Sequence, residues 1–405
     1  MQNQYDVIIV GGRVAGAASA YELSKKGYKI LLLERSQFPS DILSTHNFFN
    51  NSLVMLKEMG VLGKLLATGT PTYNRAFIQF DEEVIDGRFP EVDGEPNCLC
   101  IRRTHLDQIL FEHAIKQENV TALQKFRVTD ILMENETIVG IQAIDPNGTT
   151  VEFRAKLVIG ADGRNSTIRK KVNSEKWKSV PTDFASYVGY VKNFTQKGER
   201  CAEFYKIKDK LIIAFPTSDQ LHVIGIMFPL EDKEWMERFK VNPEGAFRAL
   251  VDFGFSNTDF PERLKAADFT GQVKGLLGYD NDWYNGMGQG WALVGDALSF
   301  KDPAVGQGMH DGLYGARILT EVLGQHQDWS MNWEQMANQY NQRMNEKMLA
   351  RFEMACQFTK NRPFTEEQHL VNRLIGMNPD LTQTFLGFYN YANEPKDLES
   401  KIQMM

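Results

Sequence analysis

Apolar and polar positions alternate in blocks near the start of the chain, and the blocks predict a strand, a helix and a second strand. Residues 5–10 form an apolar run rich in β-branched residues, with the length of one buried parallel strand. Residues 14–26 carry apolar side chains at helical spacing, and Gly27 follows where helices commonly end in glycine. Residues 29–33 are a second apolar run that ends at Glu34. This order predicts a βαβ unit that opens a doubly wound sheet.

The turn between the first strand and the helix has the spacing of a dinucleotide-binding loop. Such a loop presents free N–H groups to a pyrophosphate, and an acidic residue about 20 positions later accepts ribose hydroxyls. Arg13 replaces the middle glycine of G-x-G-x-x-G, so a doubly wound start without a nucleotide is the alternative. With a negative φ, Arg13 can serve in the turn and face the phosphates. The candidate contacts in this unit are Gly11, Gly12, Arg13, Ala15, Gly16, Glu34 and Arg35.

Period-two alternation in the middle of the chain predicts a second, β-rich unit. Residues 76–80 and 84–85 alternate like the strands of a hairpin. Residues 187–194, 203–206, 211–215 and 221–228 add aromatic-rich strands, and 231–252 is helical. A third group of strands, at 128–132, 138–144 and 149–153, reads as an antiparallel meander, and residues 157–159 return to the first sheet.

The predicted fold is therefore α/β, with a Rossmann-like domain, an inserted β-sheet domain for the substrate and C-terminal helices. The first domain is expected to be discontinuous because the β-rich stretches interrupt it. The expected boundaries are 1–70, 98–180 and 275–330 for the Rossmann-like domain, 71–97 and 181–274 for the β-rich domain, and 331–405 for the helical region.

Charge and cysteine content narrow the class of protein. The 405 residues carry a net charge of −7 and no basic cluster, which argues against nucleic acid as a partner. The four cysteines form neither a C-x-x-C pair nor a disulfide framework, which fits a reducing compartment. The first strand leaves no room for a signal peptide, and no apolar run has the length of a membrane span. We therefore expect a soluble, cytoplasmic protein without an integral membrane segment.

Two polar clusters lie where a doubly wound sheet places its ligand crevice. Ser44, Thr45 and His46 follow the second strand and are candidate cofactor contacts. The alternative is that the hydroxyls cap a helix near residue 51 and that His46 is merely solvated. Arg102 and Arg103 precede a helix predicted over 104–117 and are either a cofactor clamp or surface charges. Thr104 with Asp107 resembles a weak capping box for that helix.

Three stretches of the chain resemble a known family. The sequences VGGRVAGAA, LVIGADGRNSTIR and GWALVGDALSFKDPAVGQGMHDGLYGARIL are similar to the three FAD fingerprints of the p-hydroxybenzoate-hydroxylase-like flavoprotein superfamily. They occur in the family's order and span roughly residues 5–325. Geranylgeranyl reductases, flavin-dependent halogenases and single-component aromatic hydroxylases belong to this superfamily. The stretch SDILSTH most resembles a subgroup of FAD-dependent oxidoreductases.

The resemblance implies FAD as cofactor and gives roles to individual residues. Asp162 and Gly163 form the second motif, which serves structure and cofactor together. Asp296 should bind the ribityl chain or a ribose of FAD, and Pro303 should pack near the isoalloxazine. The helix that begins within 306–309 should direct its N–H groups at flavin O2. The further contacts implied are Arg103, Val128, Gly306, Gly308 and Met309.

Two departures from the family pattern concern its hydroxylase branch. Residues 295–299 read G-D-A-L-S where hydroxylases usually have G-D-A-A-H. His310 replaces the asparagine that usually follows the third glycine turn. These departures leave FAD binding intact but weaken the assignment to hydroxylases. His310 either contacts the cofactor or substrate or has a packing role.

Missing motifs narrow the flavin chemistry. The chain has no second G-x-G-x-x-G and no C-x-x-x-x-C in residues 36–60, which argues against disulfide reductases and Baeyer–Villiger-type enzymes. Halogenases carry the motif W-x-W-x-I-P. The nearest stretch here, residues 212–216, contains no tryptophan, which argues against a halogenase.

The expected function is a monooxygenase, whose oxygen chemistry belongs mainly to the cofactor. NAD(P)H would reduce FAD, O2 would form a C4a-hydroperoxide, and an apolar or aromatic small molecule would be oxygenated. The alternatives are a reductase or dehydrogenase acting on C=C bonds and a non-catalytic flavin-binding protein. The candidate substrate contacts, about half of which should be ordinary sheet core, are Phe77, Tyr187, Tyr190, Phe204, Phe215, Phe228 and His310.

Overall fold

A computed structural model describes residues 4–42 and 44–404. The strands, in chain order, are β1 (Gln4–Val10), β2 (Ile30–Glu34), β3 (Asn47–Phe48), β4 (Thr72–Tyr73), β5 (Arg75–Phe80), β6 (Glu83–Arg88), β7 (Cys98–Cys100), β8 (Val120–Gln124), β9 (Arg127–Glu134), β10 (Thr137–Ile144), β11 (Thr150–Gly160), β12 (Lys176–Pro181), β13 (Phe184–Lys192), β14 (Cys201–Ile207), β15 (Lys210–Pro216), β16 (His222–Pro229), β17 (Asp268–Leu276), β18 (Asp280–Tyr284), β19 (Met287–Gly288), β20 (Trp291–Leu293) and β21 (Ser299–Phe300). The helices are α1 (Val14–Ser24), α2 (Asn50–Glu58), α3 (Leu62–Leu66), α4 (Arg103–Ile115), α5 (Thr167–Lys171), α6 (Lys233–Val241), α7 (Pro243–Gly254), α8 (Phe260–Lys265), α9 (Gly308–Gly324), α10 (Trp333–Phe358), α11 (Glu366–Met377), α12 (Pro379–Leu386) and α13 (Pro395–Gln403).

The first sheet carries the predicted βαβ unit at its centre. Its order is β19-β20-β11-β1-β2-β8, and β9 and β10 extend it beside β11. β1 lies parallel to both β2 and β11, so that Ile8 is aligned with Leu31 on one side and Val158 on the other. All three side chains are fully buried, as expected for strands covered on both faces. The α/β fold class is confirmed, and the carboxyl ends of β1, β2, β11 and β20 share one edge.

The second sheet has seven strands in the order β17-β13-β16-β15-β14-β5-β6. Because successive side chains on a strand point to opposite faces, its residues divide into two cores. One face packs against α6, α7 and α8. The other face packs against the small sheet β3-β7-β4 and against the C-terminal helices α11–α13. This second face is the one that meets the first domain.

Two predicted boundaries were wrong, each for a local reason. The strands predicted at 149–153 and 157–159 are one strand, β11, whose polar side chains Arg154 and Lys156 pair with Glu134 and Asp6 at the surface. The helix predicted over 231–252 is two helices, because Pro243 has no N–H to continue α6 and Asn242 caps α7 instead. Neither error moves a residue of the candidate site.

The helical region predicted after residue 331 consists of α10 to α13. A small sheet, β12-β18-β21, lies beside α10, and Trp283 of β18 packs edge-on against Phe352 with ring centroids 5.3 Å apart. Nowhere in residues 4–42 or 44–404 is a helix both long and apolar enough to cross a bilayer.

Candidate active site

A cleft of about 750 Å³ opens at the carboxyl ends of β1, β2 and β11. All three motif segments reach it, together with the loop that follows β2. Most of the predicted cofactor residues line this cleft: Gly11, Arg13, Ala15, Glu34, Arg35, Ser44, Thr45, His46, Arg103, Val128, Asp162, Gly163, Asp296, Pro303, Gly306, Gly308 and Met309. Their convergence is the outcome that the order of the motifs predicted.

Gly12 and Gly16 are not part of the lining, and they shape the turn from behind. Gly11 has a φ of +105°, and a Cβ added there would lie 2.4 Å from the carbonyl oxygen of Ala161. A Cβ on Gly16 would lie 1.7 Å from the carbonyl oxygen of Gly11. The first and third glycines of the fingerprint are therefore required by contact of backbone with backbone.

Glu34 holds the turn in place as well as lining the cleft. Its Oε2 accepts a hydrogen bond of 2.8 Å from the N–H of Gly12, and its Oε1 accepts one of 2.8 Å from the N–H of Ser36. The side chain is only 3% exposed. Ribose binding by Glu34 remains a prediction, and a ribose would share these oxygens with two backbone donors.

The charge of Arg13 is paired within the protein, whereas the sequence suggested that it could face the phosphates. Its φ is −84°, as required, but its guanidinium forms an ion pair with Asp107 and donates a 2.9 Å hydrogen bond to Ser40. The other oxygen of Asp107 pairs with Arg103 at 2.9 Å. The capping-box interpretation of Asp107 is wrong, because α4 begins at Arg103 and this fully buried carboxylate instead holds two arginines at the cleft.

We expect the variant Arg13→Gly to keep flavin occupancy within about twofold, because glycine restores the usual turn and Arg103 remains paired with Asp107 at the cleft. Arg103→Met should weaken FAD binding about tenfold, because it removes a cation from the cleft wall. The measurement is FAD titration of the apoprotein by flavin fluorescence. Equal losses in the two variants would contradict this division of roles.

Asp162 acts mainly through the local backbone. Its carboxylate accepts hydrogen bonds from the Ser166 hydroxyl at 2.5 Å and from the Thr167 N–H at 2.6 Å, which tie the loop to the start of α5. Burial raises the pKa of Asp162, and these hydrogen bonds offset part of that rise. The carboxylate thus maintains the shape of the second motif where it borders the cleft.

Asp296 has the opposite character. Its carboxylate accepts no hydrogen bond from any residue in the described ranges, although it lines the cleft. Burial raises its pKa to about 6, against the lowering effect of Arg103. The buried Nδ2 of Asn47, on the same cleft, also lacks a partner among the described residues. The carboxylate of Asp296 is therefore available as an acceptor to a polyhydroxylated ligand.

The N-terminus of α9 faces the same space. No side chain caps its first turn, and Gly308 and Met309 line the cleft. A Cβ on Gly308 would come within 3.6 Å of an Asp296 carboxylate oxygen, so glycine keeps the approach to that acid open. The first N–H groups of a helix have no partner within the helix and favour a negatively polarised ligand atom. These features fit FAD, with its hydroxylated chain and its pyrimidine carbonyl.

The loop after β2 brings His46 into the cleft. The capping alternative is wrong, because α2 begins at Asn50 and its N-terminus has no side-chain cap. His46 Nδ1 is 2.9 Å from the Ser44 hydroxyl, and His46 Nε2 is 3.0 Å from the Tyr190 hydroxyl. Burial, followed by the charges of Arg103 and Arg102, holds the pKa of His46 well below its usual value. The imidazole is therefore neutral at physiological pH.

The predicted substrate contacts lie outside the cleft. Phe77, Tyr187 and Phe228 belong to the core beneath α6–α8, where Tyr187 stacks on Phe239 at 4.2 Å. Phe204 is on the other face, but it packs between Phe80 and Phe358. For these four residues the ordinary-core alternative applies, because each side chain points to a packed face of the sheet.

Phe215 and Tyr190 come nearer to the cleft, on the face that meets the first domain. The Phe215 ring lies 6.5 Å from the ring of Tyr73, whose hydroxyl donates to Asn47. Tyr190 reaches the cleft through its bond to His46. A substrate role for Phe215 stays a prediction, now limited to this face.

His310 has a packing role in the structure. It is buried behind the cleft, where it stacks on Tyr391 with ring centroids 4.3 Å apart. Its Nδ1 lies 3.2 Å from an oxygen of Asp311, and burial lowers its pKa. The contact with Tyr391 is made by the C-terminal region, which no local pattern predicts.

Several cleft residues were missed by sequence reasoning. Lys301 lines the cleft and forms a buried salt bridge of 2.8 Å with Asp311. Others of the same lining are Asn47, Arg127, Arg164 and Gln307. Arg164 lies in the second motif, and Lys301 and Gln307 lie in the third, so their positions within the motifs are the signal that indicates a place at the cleft.

Comparison with known proteins agrees with this geometry. A family described as "FAD binding domain" matches residues 4–249. The chain belongs to this family. The resemblance stated from the motifs is confirmed, as is FAD as the cofactor, and the protein is an FAD-dependent oxidoreductase.

Proteins similar to this chain include a reductase, a monooxygenase and a brominase. Digeranylgeranylglycerophospholipid reductase 1 of Methanococcoides burtonii is 24% identical over 342 residues, covering 80% of this chain and 76% of that protein. The 6-hydroxy-3-succinoylpyridine 3-monooxygenase HspB of Pseudomonas putida is 27% identical over 337 residues, 80% of each chain. The structure of the flavin-dependent brominase Bmp2 matches with a TM-score of 0.81 at 19% identity and covers 99% of both chains. That structural likeness concerns the fold alone.

Proposed function

We propose that the protein is an FAD-dependent monooxygenase that uses NAD(P)H and O2 to oxygenate an apolar or aromatic small molecule. The supporting observation is a cleft lined by all three motif segments, with a neutral, hydrogen-bonded His46–Tyr190 pair beside it. Monooxygenases among the relatives support the same class. The four cysteines are free and buried, and burial raises the pKa of Cys100 to about 12, which does not suit a redox-active dithiol.

The chain's residues provide binding and orientation for the cofactor. The glycine turn and α1 hold the pyrophosphate, Glu34 the adenosine ribose, and Asp296 the hydroxylated chain. Bound FAD supplies electron transfer from NAD(P)H and activation of O2 for oxygen transfer. The protein must keep water out of this reaction, and the aromatic residues of the second sheet contribute to that wall.

The His46–Tyr190 pair can move a proton at the cleft. Burial raises the pKa of the Tyr190 hydroxyl, so this hydroxyl stays protonated, and its oxygen can accept a hydrogen bond from His46 Nε2–H. In that tautomer His46 Nδ1 is unprotonated and accepts a hydrogen bond from the Ser44 hydroxyl. A substrate hydroxyl would give its proton to the Ser44 oxygen while the Ser44 proton moves to His46 Nδ1, which leaves a phenolate activated for oxygenation and an imidazolium whose Nε2–H is held by Tyr190.

The variant Tyr190→Phe should lower kcat for a phenolic substrate by about tenfold to a hundredfold, because protonated His46 loses the hydroxyl that accepts its Nε2–H. FAD occupancy should not change, since Tyr190 does not line the cleft. The measurement combines steady-state turnover with the flavin-to-protein absorbance ratio. Unchanged turnover in Tyr190→Phe would remove the relay from the mechanism.

The reaction class is tested by conversion of a substrate panel with NADH or NADPH. Phenols and other ring-bearing compounds should be oxygenated only when O2 is present. Reduction of a substrate C=C bond by the chemically reduced enzyme in the absence of O2 would instead establish a C=C reductase. A halogenated product on addition of bromide or chloride would also contradict the proposal, and flavin reoxidation without any product would favour a flavin-binding protein.

A further inference from the structure

A second cavity, of about 680 Å³, lies outside the flavin cleft and shares none of its lining residues. It is enclosed by β12, β14, the end of α10, the loop after it and the start of α11. Its volume is in the range of pockets that hold small organic ligands. Lys206 borders this cavity. It lies opposite Leu211 in the β14–β15 hairpin, near the turn and far from Phe215 at the other end of β15.

The charged side chains that line this cavity are all positive. Lys206, Lys360 and Arg362 line it, and none of the described residues in its wall is acidic. This contrasts with the protein's net charge of −7. Lys360 is neutralised by Asp183 at 3.0 Å, whereas Arg362 forms no hydrogen bond or salt bridge through its guanidinium within the described ranges. The wall therefore has more positive charge than the chain balances locally.

Lys206 is the deciding residue because it is only 6% exposed. Its ammonium donates one hydrogen bond of 3.0 Å, to the carbonyl oxygen of Arg362, and lies 4.1 Å from the ring centre of Phe364. It forms no salt bridge with any described carboxylate; Asp81, which acts on it electrostatically, accepts the N–H of Lys208 instead. Burial lowers the pKa of Lys206. A buried ammonium without a counter-ion is costly unless a ligand supplies one.

The rest of the wall is apolar and aromatic. Phe358 and Phe364 border the cavity beside Val180. Phe364 also packs on Phe80 of the second sheet at 5.1 Å, so its position is fixed by the core. A ring-bearing body would bury its surface here while its anionic group meets the ammonium of Lys206.

We propose that this cavity is a second binding site, for a small carboxylate that has an apolar, ring-bearing body. Lys206 is its anion-binding residue, Arg362 closes the entrance from the loop, and Phe358 and Phe364 contact the ring. The site is distinct from the flavin cleft, so the proposal stands or falls independently of the reaction catalysed there.

The test is calorimetric titration of the FAD-loaded protein with naphthalene-2-carboxylate and with its neutral isostere, naphthalene-2-carboxamide. The carboxylate should bind at least tenfold more tightly than the amide. Lys206→Met should abolish that preference, and Arg362→Gln, on the exposed loop, should reduce the carboxylate affinity severalfold. Lys192→Met, at an exposed lysine of the same sheet, should leave both affinities unchanged.

Equal binding of the carboxylate and the amide would overturn the proposal. A preference that persists in both Lys206→Met and Arg362→Gln would also overturn it, because the binding would then lie elsewhere. Lys206→Met should melt at the same or a higher temperature than the parent, since it removes a buried charge. A clear fall in melting temperature would show a structural lysine and contradict the assignment, and Arg362→Gln tests binding without disturbing the core.

Discussion

Replacing Asp296 by asparagine is expected to weaken FAD binding about ten- to hundredfold while stabilising the apoprotein. The carboxylate faces the cleft without a donor from the described residues, so it is free for hydroxyl groups of the cofactor. Charge-assisted hydrogen bonds contribute about 1.5–3 kcal/mol each, which gives the expected loss. FAD titration of apoprotein and variant by fluorescence quenching measures it.

The predicted stabilisation of the apoprotein by Asp296→Asn follows from the pKa of Asp296. Burial raises that pKa from 3.8 to about 6. The protonated carboxyl therefore contributes to the stability of the folded apoprotein fully below pH 3.8, and this contribution is lost as the pH rises through about 6. At pH 7 the ionised carboxylate therefore costs the apoprotein about 1–3 kcal/mol, which asparagine removes. In the parent, FAD affinity should fall as the pH drops through about 6, because protonation removes the charged acceptor.

Asp280→Asn is the matched control, because Asp280 is exposed on β18. It should change neither FAD affinity nor apoprotein melting temperature. An Asp296→Asn variant that binds FAD as tightly as the parent would show that this acid does not contact the cofactor. A lower melting temperature of its apoprotein would show that the carboxylate has a structural role.

Gly16→Ala should abolish stable FAD binding, with a loss of more than about a hundredfold in affinity. The added Cβ would lie 1.7 Å from the carbonyl oxygen of Gly11. Gly11 cannot retreat easily, because it packs closely on residue 161: even a Cβ on Gly11 would lie 2.4 Å from the carbonyl oxygen of Ala161. The turn must therefore open, and its N–H groups leave the positions that hold a pyrophosphate. Flavin absorbance per protein after purification measures the loss.

Gly63→Ala is the control for this change. Gly63 lies in α3, and a Cβ there meets nothing within 4 Å. It should keep full flavin content and gain about 0.5–1 kcal/mol, because alanine is the better helix former. Normal FAD content in Gly16→Ala would show that the turn does not form the pyrophosphate site.

The cofactor half of the site could be predicted because its signals are local in the sequence. A glycine with positive φ, an acid at a strand end and a helix start are each encoded within a few residues, as at Gly11, Glu34 and Gly308. The pairing of Arg13 with Asp107 could not be predicted in this way, because 94 positions separate the two residues. Only the fold brings α1 and α4 together.

The predicted substrate contacts show why hydrophobic periodicity alone is insufficient to identify the residues of a binding site. Alternation identifies β13 and β16 as strands, but it does not say which face meets the other domain. Tyr187 and Tyr190 lie three positions apart on β13 and therefore point to opposite faces, one toward Phe239 and one toward His46. The contacts of His310 with Tyr391 and of Phe204 with Phe358 also depend on C-terminal helices far along the chain.

The measurement that tests the central claim most directly is isotope incorporation during turnover under ¹⁸O2. The FAD-loaded protein is supplied with NAD(P)H and a ring-bearing substrate that it converts, and the product is examined by mass spectrometry. A monooxygenase predicts one atom of ¹⁸O per product molecule from O2 and none from labelled water. Product formed without label from O2, or formed equally well under nitrogen, would contradict the assignment.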